Sequence, residues 1–345
     1  MVWPLPPGGC IKNVVSASPN PVVTIGLPIY NGAAYLETAL RALLEQDFLS
    51  FEIVISDNCS TDSSPEICRE FMARDARIRY YRNDRNLGAA ANYNRVVELA
   101  RGEYFVWANH DDLWSTDFIT RCVTELERRP EAVLAYPRCA KIDANGKQVA
   151  AMIDALGLGG ETAPERLRRF HDWFIVLDEE DGWSTDKVEA LWMPVHGVMR
   201  TERLRETGMI GRYIASDTIL IEELLMRGTF AEVEERLFFK RDHEERSMRA
   251  SVSYDDRIDW FTGQKAGLLI FPRWRLLAER VKAVRNAPLP RSTARACHRE
   301  MLSFYVRRPH EGKVLVKEIL VNGVRLAQPV LRKLGLMDQP APDKW

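Results

Sequence analysis

Short continuous apolar runs and amphipathic stretches take turns along the first 143 residues of this 345-residue chain. "PVVTIGLPIYN" (21–31) is such a run, rich in β-branched residues and stopped by Pro28, and it predicts a buried strand. In "AAYLETALRALLEQ" (33–46), Leu36, Leu40, Leu43 and Leu44 fall on one helical face. "FEIVISD" (51–57) predicts a second buried strand, and "SPEICREFMARD" (64–75) a second helix with Pro65 at its start. A strand over 78–83, a helix over 88–100 ended by Gly102, and a strand over 103–109 continue the alternation. "DFITRCVTELERRP" (117–130) and "AVLAYPRCAKID" (132–143) add a helix and a strand. Alternation at this spacing predicts a parallel, doubly wound α/β sheet. Ligands of such sheets bind beyond the carboxyl ends of the strands. Asp57 and Asp111–Asp112 both follow strand ends on that edge.

Beyond residue 150 the pattern loosens. Residues 150–190 are mixed, and acidic around "LDEEDG". "VHGVMRTERLRETG" (195–208) reads as a strand end and a short helix, and "SDTILIEELLMRG" (216–228) as a helix entered through Ser216–Asp217. "FAEVEERLFFKRDHEERSM" (230–248) reads as strand, turn, strand and polar loop. From about 257 three basic amphipathic helices follow. The first (273–285) places Trp274, Leu277, Val281 and Val284 on one face, and the second Ala294, Cys297, Met301 and Phe304. The third is predicted to kink near Pro329. Such stripes suit packing on the preceding domain, docking on anionic lipid, or both. The expected organisation is an extended tail over 1–20, a domain over 21–250 with halves 21–115 and 116–250, and a basic helical region over 251–345.

Composition is that of an ordinary globular chain, at 46% hydrophobic and 28% charged. The net charge of −1 hides an asymmetry, because residues 257–345 hold 18 Lys and Arg against 7 Asp and Glu. A basic appendage of that kind meets an anionic partner, a membrane surface among them. Cys10, Cys59, Cys68, Cys122, Cys139 and Cys297 form no CxxC pair and no zinc spacing, which predicts free, buried thiols in a reducing cytoplasm. The first twenty residues do not read as a signal peptide, and no run approaches the ~18 apolar residues that cross a bilayer. The expected location is the cytoplasm, at the inner face of the membrane if 257–345 binds lipid. No nucleic-acid partner is expected, since the body is acidic and carries no recognition motif. No GxGxxG follows the first strand, which removes a dehydrogenase.

Six short motifs then fall in order: "PIYN" (28–31), "SDNCSTD" (56–62), "NLG" (86–88), "NHDD" (109–112), Ser216–Asp217 with "MRG" (226–228), and "FKRDH" (239–243). Their order resembles the inverting glycosyltransferases of family 2, of the bacterial polysaccharide and glycolipid type. The resemblance runs from about Pro21 to Met248, roughly two thirds of the chain. It implies the GT-A fold, a Rossmann-like, mostly parallel sheet flanked by helices, here with a C-terminal helical extension. It makes 21–115 the nucleotide-sugar half and 116–250 the acceptor half.

A nucleotide-sugar donor loses a charged diphosphate, which a hard divalent cation on carboxylates stabilises. The resemblance makes Asp112 a ligand of that cation, Mn²⁺ or Mg²⁺, and gives Asp111 a contact to the ribose or donor sugar. His243 completes the metal sphere or touches the diphosphate, with Arg241 in register beside it. Pro28 and Tyr30 belong to the donor-binding first loop. Asp57 accepts the imide N–H of uracil, and Arg85 pairs with the base or diphosphate. Asp217 is the general base that deprotonates the acceptor hydroxyl. Trp192 and His196 line the acceptor pocket. Plainer roles stay open: a helix cap for Asp111–Asp112 or for Asp217, an Asx-turn for Asp57, loop positions for Arg85 and His243. Glu222 and Glu223 read as exposed or packing residues. The family's first acid is Asn109 here, and His110 replaces a small residue, which alters the ligand count at this loop.

The expected partners are a uridine or thymidine diphosphate sugar and a glycan or lipid-linked acceptor. The basic helices would contact anionic membrane, the acceptor, or a second copy of the chain. A nucleotidyltransferase would want a basic, Gly-rich first loop, whereas "GLPIYNG" has no basic residue. A non-catalytic carbohydrate or nucleotide module would not need Asp217 and His243 beside the acids.

Overall fold

The computed structural model describes residues 20–151, 156–179, 191–244, 254–265 and 270–333, so the expected tail lies outside the described residues up to Pro19. The first half builds as the hydrophobic pattern predicts. β1 (Val23–Ile29), α1 (Ala33–Leu44), β2 (Phe51–Asp57), α2 (Ser64–Arg74), β3 (Ile78–Arg82), α3 (Ala89–Glu98) and β4 (Tyr104–Trp107) alternate. β1, β2 and β4 are buried at every position, as strands covered on both faces must be. Side chains of period two then feed two cores. Ile53, Ile55 and Val106 join Leu36, Leu40 and Phe71 on one face. Val54, Phe105 and Trp107 join Val96 and Val97 on the other.

The chain continues through β5 (Leu113–Trp114), α4 (Phe118–Arg128), β6 (Ala132–Ile142), β7 (Gln148–Ala151) and α5 (Ala163–Glu179). A 3₁₀ turn (Met193–His196) leads to β8 (Val198–Arg200), α6 (Thr201–Arg205), α7 (Ser216–Arg227) and β9 (Thr229–Arg241). The strands form one sheet of order β3-β2-β1-β4-β8-β6-β9-β5, with β7 pairing β6. β3-β2-β1-β4 is parallel, as expected, whereas β8 enters antiparallel to both β4 and β6.

Three expectations are corrected. Residues 229–241 are one strand, not strand, turn and strand. Between the pairs Pro137–Val233 and Arg138–Arg236, β9 carries Glu234 and Glu235 as extra, exposed residues. The polar run is a bulge that the ladder tolerates. Residues 163–179, in the stretch without a clear pattern, are a helix that buries Ala163, Leu167, Phe170 and Phe174. The third correction concerns the basic helices.

Those helices are α8 (Tyr254–Thr262), α9 (Pro272–Asn286), α10 (Arg291–Arg307) and α11 (Pro309–Lys333). The sequence reading passes over α8. α9 packs on α7, α10 on α5, and α8 on α3. α10 buries Cys297, Met301 and Phe304, as its periodicity predicts. α9 is rotated from expectation: it buries Leu276, Arg280, Ala283 and Val284, while Trp274 and Val281 are each 40% exposed. The reason is Glu222 of α7, fully buried, whose carboxylate accepts from Arg280 Nε (2.9 Å) and lies 3.3 Å from His171 Nε2. A buried cation must meet a buried anion, so the charged pair turns the helix. α11 runs on past Pro329 as a single helix. No described helix is long and apolar enough to cross a membrane.

Candidate active site

The carboxyl ends of β1, β2 and β4 open into one pocket, lined among others by Pro28, Tyr30, Asn58, Asn86, Tyr93, Asn109, His110, Asp111, Asp112, Lys240, Arg241 and Trp260. Its floor is stapled by the loop after β2. Asn31 takes a left-handed conformation (φ 51°), which asparagine tolerates. Ser60 Oγ accepts from Asn31 N (2.9 Å), Ser64 Oγ from Gly32 N (2.9 Å) and Asp62 Oδ2 from Ala33 N (3.0 Å). The "NCSTDSS" segment thus shapes the first loop through hydroxyl and carboxylate side chains. At Gly32 a Cβ would lie 2.6 Å from His110 Cδ2, so the glycine is what lets the His110 ring sit against this loop.

The acidic loop after β4 is tied to the end of β9. Asp112, 2% exposed, accepts from Arg241 N through Oδ1 (2.9 Å) and from Asn109 Nδ2 through Oδ2 (2.8 Å). Asn109 Oδ1 in turn accepts from the Tyr93 hydroxyl (2.7 Å). Arg241 Nε donates to the Asp111 carbonyl (2.7 Å), and its Nη1 to the carbonyls of Asp143 and Ala144. Its guanidinium lies over Tyr35, 4.8 Å from the ring centre. His243 Nε2 is 3.0 Å from Asp111 Oδ2.

Electrostatics separates the two acids. Burial, and then the charge of Asp111, pushes the Asp112 carboxyl up. Burial works the same way on Asp111, but the hydrogen bond from His243, with the imidazoles of His110 and His243 close by, outweighs it and holds Asp111 low. Asp217, half-buried at the start of α7, is pushed up to about 6, chiefly by burial. Burial also pushes the Tyr93 phenol up, and Asp111, Asp112 and Asp217 all add to that shift. The charges of all three acids bear on Tyr93, which lines the pocket, while Asp217 itself is not among the lining residues.

A divalent cation fits this donor set. Two carboxylates on one wall carry a like-charge penalty that a cation relieves, and His243 Nδ1 is buried without a hydrogen-bond partner. Among the described residues no three His, Cys, Asp or Glu side chains form a ready metal cage. Asp112, Asp111, Asn109 and His243 would thus leave coordination positions to water and phosphate oxygens.

Other expected site residues lie outside the pocket lining. Asp57 is fully buried, its Oδ1 accepting from Ser60 N (2.8 Å) and its Oδ2 from the Tyr80 hydroxyl (2.7 Å), with Arg82 at 3.3 Å. Arg85 is exposed in the β3–α3 loop. Trp192 Nε1 donates to Thr218 Oγ1 (3.1 Å), next to Asp217. His196 stacks on Phe238 with ring centres 5.2 Å apart, and burial pushes its pKa down to about 3. Glu222 and Glu223 are packing residues; Glu223 Oε2 accepts from Gly208 N (2.7 Å). Four of the described cysteines are buried free thiols, and Cys59 is half-buried.

Sequence reasoning missed Lys240, Asn58, Asn86, Tyr93 and Trp260. Lys240 lines the pocket, and its positive charge reaches Asp112, Asp217 and His196. The signal was the "FKRDH" motif itself, in which Lys240 precedes the residue taken as functional.

A family model described as Glycosyl transferase family 2 matches residues 24–171. TuaG of Bacillus subtilis, a glycosyltransferase provisionally named for teichuronic acid biosynthesis, is 34% identical over 97 residues, 28% of this chain and 38% of that protein. The chain spans 38% of the length of each of the first two curated relatives it matches. Among solved structures, S. aureus TarS 1–349 in complex with UDP-GlcNAc has a TM-score of 0.57 at 16% identity, over 82% of this chain and 72% of that one. The mannosyltransferase PcManGT from Pyrobaculum calidifontis, in complex with GDP-Man and Mn²⁺, has a TM-score of 0.52 at 18% identity, over 93% and 85%. At such identities the likeness is one of fold, and the fold is GT-A.

Proposed function

Because residues 24–171 match the family model of glycosyl transferase family 2, we propose that this chain is an inverting, metal-dependent glycosyltransferase. It moves a sugar from a nucleoside-diphosphate donor, uridine or thymidine diphosphate favoured, to a hydroxyl of a glycan or lipid-linked acceptor in polysaccharide synthesis. The observation that carries this reading is the pocket itself, with Asp111 and Asp112 against Lys240 and Arg241; Asp217 lies outside its lining, but its charge bears on Tyr93 of that lining. The UDP-GlcNAc bound by TarS and the GDP-Man bound by PcManGT support the substrate class.

In the proposed reaction the acceptor oxygen attacks C1 of the sugar from the side opposite the nucleotide. The C1–O bond breaks with its electron pair leaving on the diphosphate, and the acceptor proton passes to the Asp217 carboxylate. A carboxyl at about 6 is ionised at neutral pH yet basic enough to take that proton. Lys240 and Arg241 set positive charge at the end of the pocket that suits the diphosphate. Asp112, with Asp111, Asn109 and His243 beside it, would hold Mn²⁺ or Mg²⁺. When bound, that ion neutralises charge on the leaving group.

The test is release of nucleoside diphosphate from UDP-, dTDP- and GDP-sugars in the presence of Mn²⁺. Chelation with EDTA should abolish it, and Asp112→Ala should lower it about a hundredfold or more. Full turnover in either case would remove the metal from the reading. Turnover of none of the donors by the wild-type protein would sink the transferase assignment.

A second part of the reading concerns the basic helices. α10 and α11 leave Leu302 (65%), Val306 (78%) and Leu320 (65%) exposed among basic residues. Exposed apolar side chains in a region of net positive charge support peripheral contact with anionic lipid, where a lipid-linked acceptor would reside.

A further inference from the structure

One wall of the pocket comes from outside the family match. Trp260, on α8, lines it together with Asn58, Asn86 and Ala89. Two glycines bring α8 there. Gly88 (φ +82°) and Gly263 (φ +68°) both take the left-handed conformation that favours glycine. Their backbones touch: a Cβ on Gly88 would lie 2.3 Å from Gly263 N, and one on Gly263 2.6 Å from Leu87 C. Gly263 N donates to the Asp259 carbonyl (2.9 Å), and Thr262 Oγ1 donates to that of Ile258 (2.8 Å), which closes the helix end. Trp260 sits one turn before this contact and is fixed beside the β3–α3 loop.

Strand order says which end of the pocket that is. In the order β3-β2-β1-β4, Asn58 and Asn86 follow β2 and β3, while Asp111 and Asp112 follow β4. Lys240 and Arg241 end β9, whose Arg241 N is bound to Asp112. The pocket therefore grades from an uncharged side, with two amides and an indole, to a charged side. The amides are held rigid, because Asn58 Nδ2 donates to Asn86 Oδ1 (2.7 Å) and Asn58 Oδ1 accepts from Leu87 N (2.9 Å). A diphosphate belongs with the charges. A flat, neutral heteroaromatic ring belongs with the amides, and an indole offers it a stacking face.

We propose that Trp260 is the stacking platform for the donor's nucleobase, so that the C-terminal region completes the donor site. This inference rests on the transferase reading above. The experiment is calorimetric titration of the full chain with UDP, dTDP, GDP and inorganic pyrophosphate, each with Mg²⁺. For the tightest nucleotide, Trp260→Leu should weaken binding about tenfold, and Trp260→Phe should recover most of it. Pyrophosphate affinity should stay within about twofold of wild type, since no base is involved. Gly88→Ala, which displaces α8, should reproduce the nucleotide loss with Trp260 intact. Unchanged nucleotide affinity in Trp260→Leu overturns the inference, as does equal weakening toward pyrophosphate. If wild type binds and turns over a donor while Trp260→Leu is indifferent, this inference alone fails. If wild type binds none of the three nucleotides, the transferase reading fails with it.

Discussion

Burial holds the Asp217 carboxyl up at about 6, and that single displacement has two consequences. If Asp217 is the base, the rate on a logarithmic scale rises with pH up to about 6 and then levels. Asp217→Asn should flatten that limb and lower transfer about 10²- to 10⁴-fold while donor affinity is kept. A retained limb in the variant would reassign the base. The stability effect runs the other way. The folded-state pKa lies above the unfolded value of about 3.9, so the folded state holds the proton more tightly. Stability from this group is fully present at low pH and is lost as pH rises from about 4 through about 6. Asp217→Asn should therefore melt no lower than wild type at pH 7.5 in differential scanning calorimetry, despite its large loss of transfer. At this scale the sequence was a good guide where a motif fixes a residue at a strand end, as with Asp111 and Asp112. It was a poorer one for Asn58 and Asn86, which sit in the "SDNCSTD" and "NLG" motifs without a role of their own, and for Tyr93, which looks like an ordinary helix residue until the sheet gathers it into the pocket.

Among elements, α7 and α9 show what pattern alone cannot resolve. The amphipathic stripe of α9 is legible, but its rotation depends on Arg280 meeting Glu222, Tyr305 and the Phe304 ring. Glu222 is fully buried and also contacts His171, which reaches Glu300 on α10. Arg280→Ala strands that carboxylate and should cost roughly 3–5 kcal/mol, read as a lower urea midpoint with an unchanged slope. A double variant, Arg280→Met with Glu222→Met, should regain much of the loss, because no buried charge is then left unpaired. If Arg280→Ala melts like wild type, the pair does not hold α9 in place. The bulge of β9 is a similar case. Glu234 and Glu235 read as a turn in one dimension, and only the register of β6 turns them into two extra residues in a continuous strand.

At the scale of the whole molecule, the described basic helices pack on the acidic body, with α8, α9 and α10 seated on α3, α7 and α5. If the exposed apolar residues of α10 and α11 meet lipid, the chain should co-sediment with vesicles containing anionic phosphatidylglycerol and be released by high salt. Leu302→Asp with Leu320→Asp should reduce that binding several-fold and leave turnover of a soluble donor unchanged. Equal binding by the double variant, or self-association in place of vesicle binding, would assign this surface to another partner. The sequence by itself determined the alternation of strands and helices, the edge of the sheet where chemistry sits and the acidic loop "NHDD", because periodicity and motif order are local properties. The tertiary structure decided which of those residues meet. Lys240 joins the acids only through the pairing of β9 with β6 and β5, Asp57 is withdrawn into bonds with Ser60 and Tyr80, and Trp260 enters the pocket through one glycine–glycine contact. Apart from the local bond between Ser60 and Asp57, each depends on residues far apart in the chain, and only packing brings them together.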